Sequence, residues 1–302
     1  MKDQAILCTH CGELGWEILR FQPHVLWTKL KKYNNNVKLI VQTRPDRYDL
    51  YGTYANDFEP LNLDPKLKSD CFGIMGLDDR TYYKITSSFY NKYKDLFDIK
   101  EHIFPLLEKN KYCQKDQFSK YEMIYKFKPR EENLKLVKNW IPFDKPIVAL
   151  APRYREGFFR NWPYWVELYN LIYNDEYLIN NFTFILCGKP SEYIPDPENR
   201  FFDINNISLK KNTSLIGITI EIIKSSLLLC GSQSGLPNLS NLIGTPTLQF
   251  GHEQTQHEKT YNVKNTPTTF IKTGNSKSNY DKLTALDVFT KLKNLIIKGR
   301  KK

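Results

Sequence analysis

"LLLCGSQSGLPNLSNLIGTPTLQFG", residues 227–251, is the stretch whose reading decides the fold. Its apolar run stops at Gly231, and Ser232, Gln233, Ser234 and Gly235 are poor at continuing a strand. Leu236, Leu239, Leu242 and Ile243 then recur at helical spacing, and Gly244-Thr245-Pro246 punctuates before a second β-type run. The order is strand, polar glycine turn, short helix, strand. A helix that begins on such a turn presents unpaired backbone N–H groups and the positive end of its dipole, which suits a phosphate.

The same rhythm extends outward. "IVALAP" (147–152) reads as a strand, "WPYWVELYNLIY" (162–173) as a helix, and "FTFILCG" (182–188) as a strand. "SLIGITIEIIKSS" (214–226) then leads through a helix into the opening stretch. At the N-terminus "AILC", the loop "THCGELGWE", a helix from about Trp16 to Tyr33 interrupted at Pro23, and "NVKLIVQT" form a βαβ unit. Such units predict parallel sheets with sites at the carboxyl ends of the strands. "WIPFDKP" (140–146), with its two prolines, marks the boundary between an N-terminal α/β domain (1–143) and a second, Rossmann-like one (144–280). A C-terminal helix with a basic tail follows (281–302). Residues 51–135 have broken periodicity and read as mixed helices and loops.

The chain of 302 residues is 41% hydrophobic and 14% aromatic, which fills real cores and excludes wholesale disorder. Lys+Arg 44 against Asp+Glu 33 gives a formal charge of +11, favouring anionic partners: nucleotide phosphates, nucleic acid or an acidic membrane face. No window reaches the length of a membrane span and no signal peptide opens the chain, so a cytoplasmic location is expected, with peripheral membrane contact still open. Of the six cysteines, Cys8 and Cys11 form a lone C-x-x-C with no second ligand pair at zinc-ribbon spacing. Cys187 and Cys230 end predicted strands as small buried hydrophobes. No metal site is expected.

Candidate binding residues cluster in the second domain. "APRYREGFFRNWP" places Arg153, Arg155 and Arg160 in one βα loop, where guanidinium forks match a diphosphate. Gly188 ends the next strand, so that the backbone can turn sharply or approach a ligand. Ser232, Gln233, Ser234 and Gly235 form the turn before the helix. A basic loop, a glycine turn and a helix N-terminus at three strand ends describe one nucleotide-diphosphate cradle.

Taken in order, "RNWP…ILCGKPSE…LLLCGSQSGLPNLSNLIGTPTLQFG" resembles the donor domain of heptosyltransferase-type GT-B glycosyltransferases, over about residues 146–252. Arg160 matches that family's phosphate-contacting basic position before Trp-Pro. Ser234 and Gly235 match its central Ser-Gly, and Gly244, Thr245 and Pro246 its closing triplet. Gln233 stands where the family has Asp, and Asn238 where it has His, so the donor need not be the usual ADP-heptose. The resemblance implies an α/β, GT-B fold: two Rossmann-like domains facing a cleft. It also implies a nucleotide-sugar donor and a glycan or glycolipid acceptor.

"CGELGWE" resembles the family's N-terminal base loop, with Glu13 at the general-base position and Glu17 the runner-up one turn later. His252, just past the last donor-domain strand, could line the cleft. No Asp-x-Asp follows a strand, so transfer is expected to be metal-independent and to need no cofactor beyond the donor. Three alternatives remain: a glycosyltransferase acting on a hydroxylated DNA base, suggested by the charge and by "KYEMIYKFKPR" (120–130), a non-catalytic sugar-nucleotide binder, and an epimerase of related architecture.

Arg160→Ala is expected to weaken nucleoside-diphosphate binding by about 1.5–3 kcal/mol, the value of a charge-assisted hydrogen bond. Calorimetry with unchanged affinity would remove Arg160 from the site.

Overall fold

The computed structural model describes residues 2–10, 12, 14–61, 79–104, 125–141, 144–154, 161–209, 213–251, 262, 264–273 and 280–299. The chain divides into two compact units, Met1–Arg130 and Glu131–Lys302.

In the first unit β1 (Gln4–His10), β2 (Lys38–Thr43), β3 (Asp57–Pro60) and β4 (Asp98–Ile103) form a four-stranded sheet in the order β3-β2-β1-β4. Every pairing is parallel. β1 is buried along all but its first residue, as expected of a strand covered on both faces. Ala5, Leu7 and Ile40 pack against Phe89 and Tyr93 of the helix Asp79–Tyr93. The edge strands β3 and β4 and this helix lie in the region read from sequence as mixed helices and loops. That expectation is corrected for the strands: "DFEP" and "DIKEHI" are short and charge-rich, as edge strands are, and carry no apolar run to announce them.

After β1 the chain is helical from 14 to 32, but not uniformly. Leu14–Trp16 and Gln22–Trp27 are α-helical, while Glu17–Phe21 and Thr28–Lys32 are π-helical. Pro23 supplies a cause for the first widened turn. It has no N–H to donate, and its ring crowds the carbonyl four residues back. The π turn buries all five of its residues, Glu17 and Arg20 among them.

In the second unit β5 (Ile147–Ala151), β6 (Thr183–Leu186), β7 (Phe202–Asp203), β8 (Ser226–Ser232), β9 (Thr247–Gly251) and β10 (Thr268–Lys272) form one sheet, ordered β10-β9-β8-β5-β6-β7. All pairings are parallel. Counted from β5, this is the doubly wound order 3-2-1-4-5-6 read from the β7 edge, and its direction reverses between β5 and β8. Trp162, Trp165 and Tyr169 pack with Phe250 and with Val288, Leu292 and Ile296 of the C-terminal helix Ala285–Gly299.

The helix Glu131–Trp140 belongs to this unit. Its Asn133 Oδ1 accepts the Ser214 N–H at 3.1 Å, beside the start of the helix Leu215–Ser225. The unit therefore begins before the proline-bearing turn at 140–146, because that helix packs on the second core.

Gly231 is paired with Ala151 across the β5–β8 contact. A Cβ at 231 would lie 2.9 Å from Ala151 Cβ and 3.2 Å from Pro237 Cγ. Gly231→Ala is expected to cost about 1–3 kcal/mol by overpacking. Combination with Ala151→Gly should recover part of it, as read by a double-mutant cycle in urea. Additive losses would contradict the steric account.

Candidate functional site

The carboxyl ends of β5 and β8 form the switch point of the second sheet, where chains leaving the two strands diverge and open a crevice. β8 ends at Ser232, and the helix Gly235–Ile243 starts on an extended Ser234 whose side chain makes no capping bond. Pro237, third in the helix, has no N–H. The donors that α-helical geometry leaves orphaned are therefore those of Ser234, Gly235 and Leu236, the last two inside the helix.

Beneath them are buried polar atoms without hydrogen-bond partners among the described residues: Ser232 Oγ, Gln233 Oε1 and Asn238 Oδ1. Ser232 is 0% exposed and Gln233 4%. Groups buried in this way cost of order 1–3 kcal/mol each when unsatisfied, and in native folds they usually face a ligand or water. The Gln233 amide lies against Gly251, where a Cβ would come within 2.7 Å of Gln233 Oε1 and 2.9 Å of the Tyr280 hydroxyl. Gly244 closes the helix in the left-handed region at φ 102°, which accounts for the glycine of the Gly-Thr-Pro triplet.

The neighbouring loops are pinned to this edge. After β5, Arg153 bridges Tyr193, and Tyr154 N–H donates to the Glu192 carbonyl at 3.0 Å. Gly188, at the end of the β6 run, gives the room Tyr193 occupies: a Cβ there would stand 2.8 Å from Tyr193 Cβ. Trp162 anchors the far end of the arginine loop, donating from Nε1 to the Leu283 carbonyl at 2.7 Å with its ring centroid 4.8 Å from that of Phe250. The structure thus brings Arg153, Gly188, Ser232, Gln233, Ser234, Gly235 and Asn238 to one sheet edge. Arg155, Arg160 and His252 lie outside the described residues, as do Glu13 and residues 120–124 of the basic-aromatic segment. The fitting of Gln233 and Tyr280 around Gly251 escaped the sequence reading, since nothing in the spacing joins position 280 to 233.

The first unit carries a buried acid at its own carboxyl edge. Glu17 is 0% exposed. Its Oε1 accepts from the Tyr51 hydroxyl at 2.9 Å and from Thr43 Oγ1 at 3.3 Å. Oε2 faces His10 Nδ1 at 3.4 Å and Arg47 Nη1 at 3.6 Å. Burial by itself raises a carboxyl pKa. Here His10, Arg47 and the Tyr51 hydroxyl more than offset it and hold Glu17 below the usual carboxylate range. The same burial, with the Glu17 charge beside it, pushes the Tyr51 phenol well up. His10 Nδ1 also lies 3.3 Å from the Gly12 N–H. One nitrogen serves only one of them at a time: as a lone pair it accepts from Gly12, as N–H it donates to Glu17.

No family model matches the sequence, and no curated protein does. Solved structures do. ADP-heptose LPS heptosyltransferase II of E. coli is similar over 98% of this chain and 99% of its own, with a TM-score of 0.61 at 12% identity. A family 9 glycosyltransferase of Veillonella parvula matches over 98% of each chain, with a TM-score of 0.57 at 10% identity. The E. coli heptosyltransferase WaaC with ADP matches over 98% and 99%, with a TM-score of 0.54 at 11% identity. The chain has the α/β, GT-B fold of heptosyltransferase-type glycosyltransferases. No helix among the described residues is long and apolar enough to cross a membrane.

A carboxylate whose folded pKa lies below its unfolded value contributes stability that is complete above the unfolded pKa, about 4.3, and is lost as pH falls through the folded one. Glu17→Gln removes that contribution and leaves Arg47 facing no counter-charge at Glu17. A loss of about 3–5 kcal/mol at pH 7 is expected. In urea unfolding between pH 7 and 3, the variant should also show a flatter acid limb than the wild type. Equal stability at pH 7 would contradict the network.

Proposed function

We propose that this protein is a glycosyltransferase that moves a sugar from a nucleotide-sugar donor to an acceptor hydroxyl, with inversion and without a metal ion. The observation that carries the reading is the pair of buried side-chain oxygens, Ser232 Oγ and Gln233 Oε1, without partners among the described residues, at the switch point of the second sheet beside an uncapped helix start. A nucleoside diphosphate fits that edge: its phosphates would take the Gly235 and Leu236 N–H groups, and its hydroxyls or base the Gln233 and Asn238 carbonyls. The match to structures titled as heptosyltransferases, one of them with ADP, supports the same donor class.

In the proposed step the acceptor oxygen attacks the anomeric carbon as the bond from that carbon to the diphosphate breaks. The acceptor proton passes to a carboxylate, and the nucleoside diphosphate leaves as an anion. Glu13, in the loop after β1, is the base. Glu17 has no exposed surface, and its oxygens are engaged with Tyr51, Thr43, His10 and Arg47. Its proposed role is to fix the ends of the first two strands, where His10 and Thr43 meet it, and not to take the proton. Positive charge for the leaving group comes from the helix start and the arginine loop, Arg160 included, so a divalent ion is dispensable. The acceptor is a glycan or glycolipid.

The test is nucleoside-diphosphate release from a panel of ADP-, GDP-, UDP- and dTDP-sugars, with and without EDTA. Release should survive EDTA. Glu13→Gln should lower it by about 10²–10⁴-fold while nucleotide affinity stays at wild type. Loss with EDTA restored by Mg²⁺ or Mn²⁺ would overturn metal independence. Nucleotide binding with no turnover of any donor would leave a sugar-nucleotide binder.

A further inference from the structure

The helix Asp79–Tyr93 has two faces of different character. Tyr82, Thr86, Phe89 and Tyr93, at alternating spacings of four and three, are buried against the first sheet. The adjoining stripe, Tyr83, Ser87, Tyr90 and Asn91, is exposed, with Tyr83 44% and Tyr90 40% accessible. Together with Thr86, and with His102 and Phe104 at the carboxyl end of β4, these residues line a cavity of about 310 Å³. That volume lies at the small end of ligand sites, roughly 300–1,000 Å³, and suits one ring.

Its chemistry is specific. Phenol and benzyl rings supply flat faces, with Tyr90 stacked 16° from parallel to His102 and Phe104 at 4.8 Å from it. Hydroxyls and an amide lie between them. His102 Nε2 is 3.2 Å from Thr9 Oγ1, which in turn donates to Gln42 Oε1 at 3.0 Å. Since the single Thr9 proton goes to Gln42, Nε2 must carry the imidazole proton, and Nδ1 is left as an acceptor. Burial pushes the His102 pKa down to about 4, so the ring is neutral near pH 7. None of the seven lining residues is Lys, Arg, Asp or Glu.

We propose that this cavity is a carbohydrate subsite that takes one neutral pyranose ring of the acceptor, resting on the glycosyltransferase reading above. A pyranose presents weakly positive axial C–H groups on its face, complementary to the negative face of an aromatic ring, and hydroxyls at its rim for Ser87, Asn91 and His102. A nucleic-acid base would also stack, but the lining among the described residues offers no cation for the phosphates that come with it.

Saturation-transfer NMR on the full chain tests the subsite with methyl gluco-, galacto- and mannopyranoside, deoxycytidine monophosphate, and ADP and UDP as probes. At least one pyranoside should receive saturation on its ring protons. Tyr90→Ala should reduce that signal about threefold or more, Tyr90→Phe should retain it, and the nucleoside-diphosphate signal should be unchanged in both. No pyranoside signal in the wild type, an undiminished signal in Tyr90→Ala, or preference for deoxycytidine monophosphate lost in Tyr90→Ala would each overturn the subsite. Pyranoside binding lost in Tyr90→Ala, with no nucleoside-diphosphate binding, would uphold the subsite and sink the glycosyltransferase reading instead. The reverse pattern would sink the subsite alone.

Discussion

The close approach of β5 and β8 is the constraint on which the edge from Ser232 to Leu236 depends. Ala151 and Gly231 face each other at the end of this parallel pair, and neither position tolerates a larger side chain without displacing the other or Pro237. With these small residues the helix Gly235–Ile243 can start two residues after β8 ends, on an extended Ser234 whose side chain does not cap it. The strand order supplies the rest. The chain leaving β5 returns to β6 on one side and the chain leaving β8 to β9 on the other, the strand order that marks a switch point. Gly188 and Gly251 repeat the device on either side, making room for Tyr193 in one case and for the Gln233 amide and Tyr280 hydroxyl in the other.

The first unit solves a different problem. It takes a full negative charge out of water at Glu17, which is tolerable only because Arg47, His10 and two hydroxyls meet it there. The π turn forced near Pro23 brings that acid inward, and the ends of β1 and β2 deliver His10 and Thr43 to it. Such a network is costly to disturb, and it ties the ends of β1 and β2 together at His10 and Thr43.

Much of this was legible in the amino-acid order, for identifiable reasons. The strands of the second sheet that are buried on both faces, such as "IVALA" and "TFIL", appear as continuous apolar runs, and "GSQSG" interrupts one of them in a way only a turn explains. β3 and β4 were hidden because edge strands carry charge. β7 was hidden because two residues make no pattern. Glu17 was legible as an acid near the right loop, but its burial was not, because its partners Thr43, Arg47 and Tyr51 are brought to it only by parallel pairing of β1 with β2. The pairing of Tyr90 with His102 was likewise out of reach, since it joins a helix face to a strand end through the tertiary fold alone.

The central claim is that the β5–β8 switch point receives a nucleoside diphosphate. Backbone amide hydrogen exchange, with and without saturating ADP or UDP, tests it most directly. The account predicts that binding slows exchange at Gly235 and Leu236, helix-start N–H groups with no partner among the described residues, with little change along the helix Glu131–Trp140. Bound nucleotide that leaves Gly235 and Leu236 unprotected, while protecting another region, would contradict it.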